Sequence, residues 1–542
     1  MVSSTRMKRS GLIPALAAAF CLALAGQARA AADPRVAEHT AWLLQNEPKL
    51  ALPIRQRMET LSSYYLGKGG APIWIGTNRM PAFLAVLRSA EDHGLDPKDY
   101  QIAYLQKLLD AAAVTDAQSQ SVIELIFSAY FLKFAEDLKQ GRLLPGKVDP
   151  ELYWQSKKVD MTVALDGVAA SPRPQAFVDA WQPQIPEYLV LRQALAIYRQ
   201  LAGKGGWPQV PNGDAIKPGE ESDRVPALRA RLAATDGAAP AAPGANGKLY
   251  DAELEEAVKR FQERHGLEPD GVVGTRTVLQ MNIPVEDRIR QIVANMERWR
   301  WMPEDLGEHY IIVNIAGFEL RRIRGKVEEQ MRVVVGKPYH RTPVFSEKMT
   351  YVELNPYWNV PSSIATKEEL PKLKSNPGAA ASRGFEVVSG DRVIDPRSVD
   401  WSQYSRGNFP FQLRQKPGTG NALGRVKFMF PNRFNVYLHD TPARTLFAKA
   451  ERAFSHGCIR LARPLDLAEQ VLAGEAGWDR KKIDAVVASQ ERTVVTLSQP
   501  IPVHITYATA WLGTSGAVHF AADIYERDEA LRRALFGMAT AS

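Results

Sequence analysis

The hydrophobic spacing of this 542-residue chain changes character once, near Tyr310, and that switch limits what it can fold into. From about Val36 to Leu201 apolar residues recur at helical intervals, as in Val122-Ile123-Leu125-Ile126-Tyr130-Phe131-Phe134. From Tyr310 onward they come as short β-rich runs: Tyr310 to Ile315, Phe318 to Ile323, Met331 to Val335, Thr350 to Leu354, Val426 to Phe430, Asn435 to His439, Thr493 to Leu497 and Val503 to Ala508. Gly, Pro or Asn separate these runs, which predicts an antiparallel sandwich-like or barrel-like domain. The fold class is therefore α+β and multidomain, and at about 100–200 residues per domain the length suits three or four cores. Ser363 to Pro410 breaks the strand rhythm with charged, helix-capable sequence, and an insertion that long predicts a lid over 363–410.

Arg6, Lys8 and Arg9 precede an apolar run from Leu12 to Leu24, and Ala28-Arg29-Ala30 follows as a small-x-small cleavage site. Residues 1–30 read as a secretory signal peptide, too short in its apolar part for a spanning helix of about 20 residues. The whole chain carries +8, and +4 without that leader, too mild an excess for a nucleic-acid binder. Cutting after Ala30 discards Cys21 and leaves Cys458 as the one cysteine, so no internal disulfide is expected in an oxidising compartment. Such a thiol is either inert or reactive, and its neighbours decide which.

Gly203 to Gly219 is rich in Gly and Pro and reads as a linker, and Thr235 to Gly247, mostly Ala, Gly and Pro, as an exposed loop. Between Val225 and Ile283, Leu228, Leu232, Tyr250, Leu254, Ala257, Val258 and Phe261 keep helical spacing, and Gly266-Leu267 and Asp270 to Gly274 supply a turn before Thr275, which can cap a last helix. The segment AVKRFQERHGLEPDGVVGTRTVLQMN resembles the type 1 peptidoglycan-binding domain, a three-helix module. The expected layout is a helical scaffold at 31–221, this module at 222–283, a connecting helix at 284–308, a β-rich domain at 309–525 and a C-terminal helix or tail at 526–542.

Phe434 to Asp440 alternates like a strand, with Phe434, Val436 and Leu438 toward a core and Asn435, Tyr437 and His439 on the other face. Nineteen positions after His439 comes Cys458, inside Ser455-His456-Gly457-Cys458-Ile459-Arg460-Leu461. A thiol needs a partner for its proton to be a good nucleophile at neutral pH, and imidazole is the usual one. Gly457 permits a backbone conformation that a Cβ opposes and leaves N–H groups to face an oxyanion. His439, His456 and Cys458 are also legitimate zinc ligands, which would make a hydrolase site.

The spacing from His439 to Ser455-His456-Gly457-Cys458-Ile459-Arg460 resembles the signature of the L,D-transpeptidase catalytic domain, the YkuD family. Asn355-Pro356-Tyr357-Trp358-Asn359-Val360-Pro361 and Lys416 to Gly424 resemble its large periplasmic YcbB-type branch, which joins a helical scaffold, a peptidoglycan-binding module and a catalytic domain with a substrate-capping insertion. The resemblance implies Cys458 as nucleophile and His439 as general base, its tautomer held by a backbone carbonyl just after it, that of Asp440, whose side chain would then be a spectator. It implies site-shaping roles for Ser455, His456, Gly457 and Arg460, with N–H groups near Gly457 and Cys458 as the oxyanion hole, and Tyr437 beside the intermediate. Trp358, Tyr357 and Asn421 are candidate substrate contacts, although the two aromatics suit a β-core equally. Arg460 has two readings, a substrate carboxylate or a structural ion pair.

The implied chemistry is acylation of Cys458 by a tetrapeptide stem with loss of D-Ala, then attack by a diaminopimelate amine to give a 3→3 cross-link. Water as acceptor makes the same site an L,D-carboxypeptidase, and a protein acceptor makes it an attachment enzyme. A non-catalytic wall-binding scaffold is the alternative of another class. The resemblance further implies a periplasmic, monomeric enzyme without a cofactor, acylated by carbapenems and working beside other cell-wall synthesis proteins.

Overall fold

The computed structural model describes residues 33–154, 157–236, 246–513 and 516–537. The expected leader at 1–30 lies outside them. Among the described residues no helix is long and apolar enough to cross a membrane.

The chain forms two compact units, one of which comprises residues up to Ala90, Asp96–Ala135 and Asp160–Trp181. It is all helical, with Pro34–Asn46, Met58–Gly67, Arg79–Arg88, Ile102–Ala112, Thr162–Ala170 and Pro174–Trp181 accompanying the first part of the long helix Ala117–Gln140. Trp74, Phe83, Phe127 and Phe131 interlock at its centre, with Trp74 ring centroids 5.3, 6.0 and 5.6 Å from the other three. Such tilted aromatic pairs add to plain burial.

The second unit holds everything from Gln182 onward, together with Glu91–Leu95 and Glu136–Val159. Its small module has three helices, Val225–Ala233, Ala252–Arg264 and Thr275–Met281, around Leu228, Leu232, Tyr250, Leu254, Val258 and Phe261. Asp251 caps the second by accepting from the Leu254 N–H at 2.9 Å. The cap of the third is not Thr275: Gly274 occupies the N-cap without a side-chain bond, and Thr275 is the first helical residue. The helix Val285–Trp301 is more than a connector, because its polar side chains are buried and paired. Asn295 Nδ2 donates to Thr509 Oγ1 at 2.9 Å, Arg298 meets Asp528 at 2.5 Å, and Trp301 Nε1 donates to the Leu143 carbonyl.

The β-strands in chain order are β1 His309–Asn314, β2 Glu319–Arg324, β3 Lys326–Gly336, β4 Phe345–Leu354, β5 Trp358–Asn359, β6 Phe385–Ser389, β7 Arg392–Ile394, β8 Gln412–Gln415, β9 Val426–Met429, β10 Leu438–His439, β11 Ala453–Ser455, β12 Ile459–Leu461, β13 Thr493–Thr506, β14 Ala510–Leu512 and β15 Val518–Phe520. Nine of them form one sheet in the order β11-β3-β12-β10-β9-β4-β13-β1-β2, and a further β3–β2 pairing closes it into a ring. The ring is mixed rather than purely antiparallel, since β1–β13, β10–β12 and β11–β3 run parallel. Closure removes most free edges.

The insertion is larger than 363–410. It begins at β5 and ends at β8, with its own sheet β5-β8-β6-β7 and its own core of Val360, Leu370, Leu373, Phe385, Val387, Trp401 and Leu413. A segment with a private core is a folded subdomain rather than a floppy loop.

Candidate functional site

Alternation along four neighbouring strands sorts the apolar residues from the reactive ones. Val352 and Leu354, Val426 and Phe428, Leu438, and Ile459 and Leu461 point into the ring core. The residues between or beside them, Glu353, Lys427, His439 and Arg460, are Cα partners in sequence across β4, β9, β10 and β12. A period of two therefore lays a charged row across one face of the sheet. β10 is only two residues long, so the expected strand from Asn435 is cut short: Asn435 has φ +54°, a left-handed turn. That turn aims the Asn435 carbonyl at Cys458 Sγ, 3.7 Å away.

Cys458 ends a turn fixed from both sides. Gly457 has φ +116°, a conformation that L side chains rarely adopt. The Ser455 hydroxyl accepts the Gly457 N–H at 3.0 Å and donates to the Cys458 carbonyl at 2.5 Å. Thr342 Oγ1 donates to the Gly457 carbonyl at 2.8 Å and accepts the Gly336 N–H at 3.0 Å, and Tyr525 O–H donates to the Gly336 carbonyl at 2.5 Å. Thr342 and Tyr525 were missed in the sequence because each is a lone hydroxyl far from the motif. The Ser455 bond also revises the oxyanion expectation: the Gly457 N–H is already committed, and among the described residues none accepts the Cys458 N–H.

His439 is buried, with Nδ1 2.5 Å from the Asp440 carbonyl oxygen. Nδ1–H donating there leaves Nε2 as the basic nitrogen. Burial, with Arg460 and Lys427 nearby, holds its pKa down to about 3, against carbonyls of Asp440 and Leu423 that favour the protonated ring. Burial likewise pushes the Cys458 thiol up, offset by hydrogen bonds from Tyr437 and by the Lys427 and Arg460 charges. At neutral pH both groups are uncharged. Among the described residues the partners of the sulfur are Tyr437 and Asn435, and no hydrogen bond joins it to His439. Catalytic contacts often tighten only when substrate arrives.

The geometry shows where the remaining candidate residues are engaged. The Asp440 side chain is engaged away from the imidazole: its Oδ2 accepts the Arg425 N–H and Nε, both at 3.0 Å, and Gly424 approaches so closely that a Cβ there would sit 2.4 Å from Asp440 Cγ. Asn421 is not free for substrate, because its amide is spent on backbone: Nδ2 donates to the Pro356 and Lys416 carbonyls at 3.0 and 2.9 Å, and Oδ1 accepts the Leu423 N–H at 2.7 Å. It ties together the two ends of the insertion. Trp358 pairs with β8 and packs in the insertion core beside Phe385, while Tyr357 lies under Arg414, 5.0 Å from its guanidinium. Arg460 forms no structural ion pair among the described residues. His456 and Cys458 turn to different partners, and no group of three or more His, Cys, Asp or Glu among the described residues is placed to hold a metal.

His456 faces the insertion. Its Nε2 lies 2.7 Å from Glu368 Oε1, and its ring is 4.9 Å from that of His340. This contact latches the insertion beside the nucleophile. Both groups are partly exposed, so the latch is worth no more than about 1 kcal/mol. Glu368→Gln is expected to speed amide exchange over 362–375 by about two- to fivefold with little change in Tm. Unchanged exchange there would show that the latch does not hold the segment.

Family models match three stretches: a scaffold domain at 59–195, a peptidoglycan binding domain at 221–281 and the L,D-transpeptidase catalytic domain at 308–495. A curated protein of Haemophilus influenzae (strain ATCC 51907 / DSM 11121 / KW20 / Rd), whose L,D-transpeptidase name is itself provisional, is 36% identical over 261 residues, 47% of this chain and 52% of that protein. The chain thus spans about half the length of that relative. Solved structures include an L,D-transpeptidase from Mycobacterium smegmatis (14% identity, 37% of this chain, 58% of that one, TM-score 0.19) and one from Stackebrandtia nassauensis (14%, 55%, 96%, TM-score 0.21).

Proposed function

We propose that this chain, which carries an L,D-transpeptidase catalytic domain and a peptidoglycan-binding domain, transfers stem peptides of peptidoglycan through a thioester on Cys458. The observation that supports it best is a thiol held on a positive-φ glycine turn at the start of β12, next to the strand that carries an imidazole whose Nδ1 faces the Asp440 carbonyl. His439 Nε2 takes the thiol proton as sulfur attacks the carbonyl of the third stem residue, and the Cys458 N–H is the donor left for the oxyanion. Collapse breaks the bond to D-Ala, whose amine receives the proton from His439. A diaminopimelate amine of a second stem then attacks the thioester, His439 removes its proton, and the thiol is restored as a 3→3 bond forms.

Ser455, Thr342 and Asp440 position these groups, while the latched insertion limits water. Loss of that exclusion would turn the same acyl-enzyme toward carboxypeptidase products. The reaction belongs outside the cytoplasm, where the polymer lies, and a carbapenem would acylate Cys458 in place of the donor. The test is to incubate the protein with disaccharide-tetrapeptide and follow the products by mass spectrometry. A dimer heavier by one donor less D-Ala is expected; tripeptide alone would shift the reading to a carboxypeptidase, and no product would remove it.

A further inference from the structure

Lys427, His439 and Arg460 are consecutive partners across β9, β10 and β12, so two cations flank the imidazole on one face. No carboxylate lies within ion-pair distance of either among the described residues. Glu353, the register partner of Lys427 on β4, is taken by Arg492 Nε at 2.5 Å. Lys427 Nζ lies 4.2 Å from the Tyr437 ring centroid instead, and Arg460 Nε is buried without an acceptor. Desolvating two cations, one on each side of the imidazole and neither in an ion pair, costs stability, and burial lowers the pKa of both. An arrangement that unfavourable is repaid when an anion enters.

We infer that Lys427 and Arg460 form an anion subsite beside Cys458 that holds a carboxylate of the acyl donor. This rests on the acyl-transfer reading and names what the donor must carry. A stem peptide offers a carboxylate at its terminus and another on its diaminopimelate side chain, either of which fits the chemistry. The other groups facing Lys427 are Tyr437, His439, the Cys458 sulfur, and Glu353 with the Arg492 that pairs with it. A neutral or cationic group would gain nothing from this field.

The probes are iodoacetate and iodoacetamide, which alkylate the same sulfur and differ by one negative charge. The rate ratio of iodoacetate to iodoacetamide at Cys458 is expected to exceed that of glutathione by about three- to tenfold. Lys427→Met and Arg460→Gln should each lower the ratio about threefold, and Lys427→Arg should restore it. Should a variant fail to fold, the wild-type ratio must still fall toward that of glutathione between about 20 mM and about 500 mM NaCl. A wild-type ratio equal to glutathione's, or one that neither variant moves, overturns the subsite. Charge preference without transfer product would leave the subsite standing and remove the transpeptidase reading; product without preference would do the reverse.

Discussion

Cys458→Ala is expected to leave no detectable stem transfer, a loss of at least about 10⁴-fold, because no other group can carry the acyl chain. The turn should survive the change, since its bonds run through Ser455, Thr342 and the Gly457 backbone rather than through sulfur. Sulfur itself makes only a long contact, 3.7 Å to the Asn435 carbonyl, and accepts from Tyr437, so Tm should move by no more than a few degrees. A folded Cys458→Ala protein that still releases D-Ala would end the thioester mechanism. Cross-linking retained at wild-type level would point to a different nucleophile altogether.

The same chemistry fixes a pH dependence. His439, held down to about 3, is neutral and able to accept a proton across the whole physiological range, so its protonation gives no acidic limb near pH 6. Cys458 is pushed upward by burial and stays protonated at pH 7. Alkylation of the free enzyme should therefore rise with pH beyond the range of an ordinary thiol, near 8.5. A plateau reached by about pH 6 would instead mean a thiolate–imidazolium pair in the resting site.

The reactive motif was legible because its signals are local. A glycine that needs positive φ, a cysteine next to it and a histidine on an alternating strand all lie within about twenty residues. What the sequence hid depends on distant pairings. Asn421 looks like an exposed polar residue, yet its amide joins Pro356 to Lys416 across sixty positions of chain. The helix Val285–Trp301 reads only as a connector, since Gln291, Asn295, Glu297, Arg298 and Arg300 are polar and give no sign of a core. Each is buried, and the partners that make this possible, such as Thr509 and Asp528, come more than two hundred residues later. Hydrophobic periodicity does not register a polar residue whose counterpart is remote. The mixed sheet escaped for a similar reason, since strand direction is set by connections such as the one returning β13 beside β1.

Glu124→Ala should be the most damaging single change away from the site, destabilising the helical unit by about 3–5 kcal/mol. The carboxylate is fully buried, yet every neighbour is a donor. Oε1 accepts from the Ile73 N–H and the Tyr65 O–H, both at 2.6 Å, and Oε2 from the Trp74 and Ile75 N–H groups at 3.0 and 2.9 Å. Tyr65 also shares Ser128 Oγ with Trp74 Nε1, so one network fixes the loop that delivers Trp74 into the aromatic core. Truncation strands three backbone N–H groups without water. Glu124→Gln is expected to cost less, because its carbonyl oxygen still accepts from some of those donors and its NH₂ stands where the protonated carboxyl has its O–H. Burial raises the Glu124 pKa, so its contribution is complete in acid and falls as pH climbs from the ordinary carboxylate value to the raised one. Thermal unfolding from pH 4 upward should show that slope in the wild type and not in Glu124→Ala; an Ala variant as stable as the wild type would mean that the network of donors is not what holds the loop.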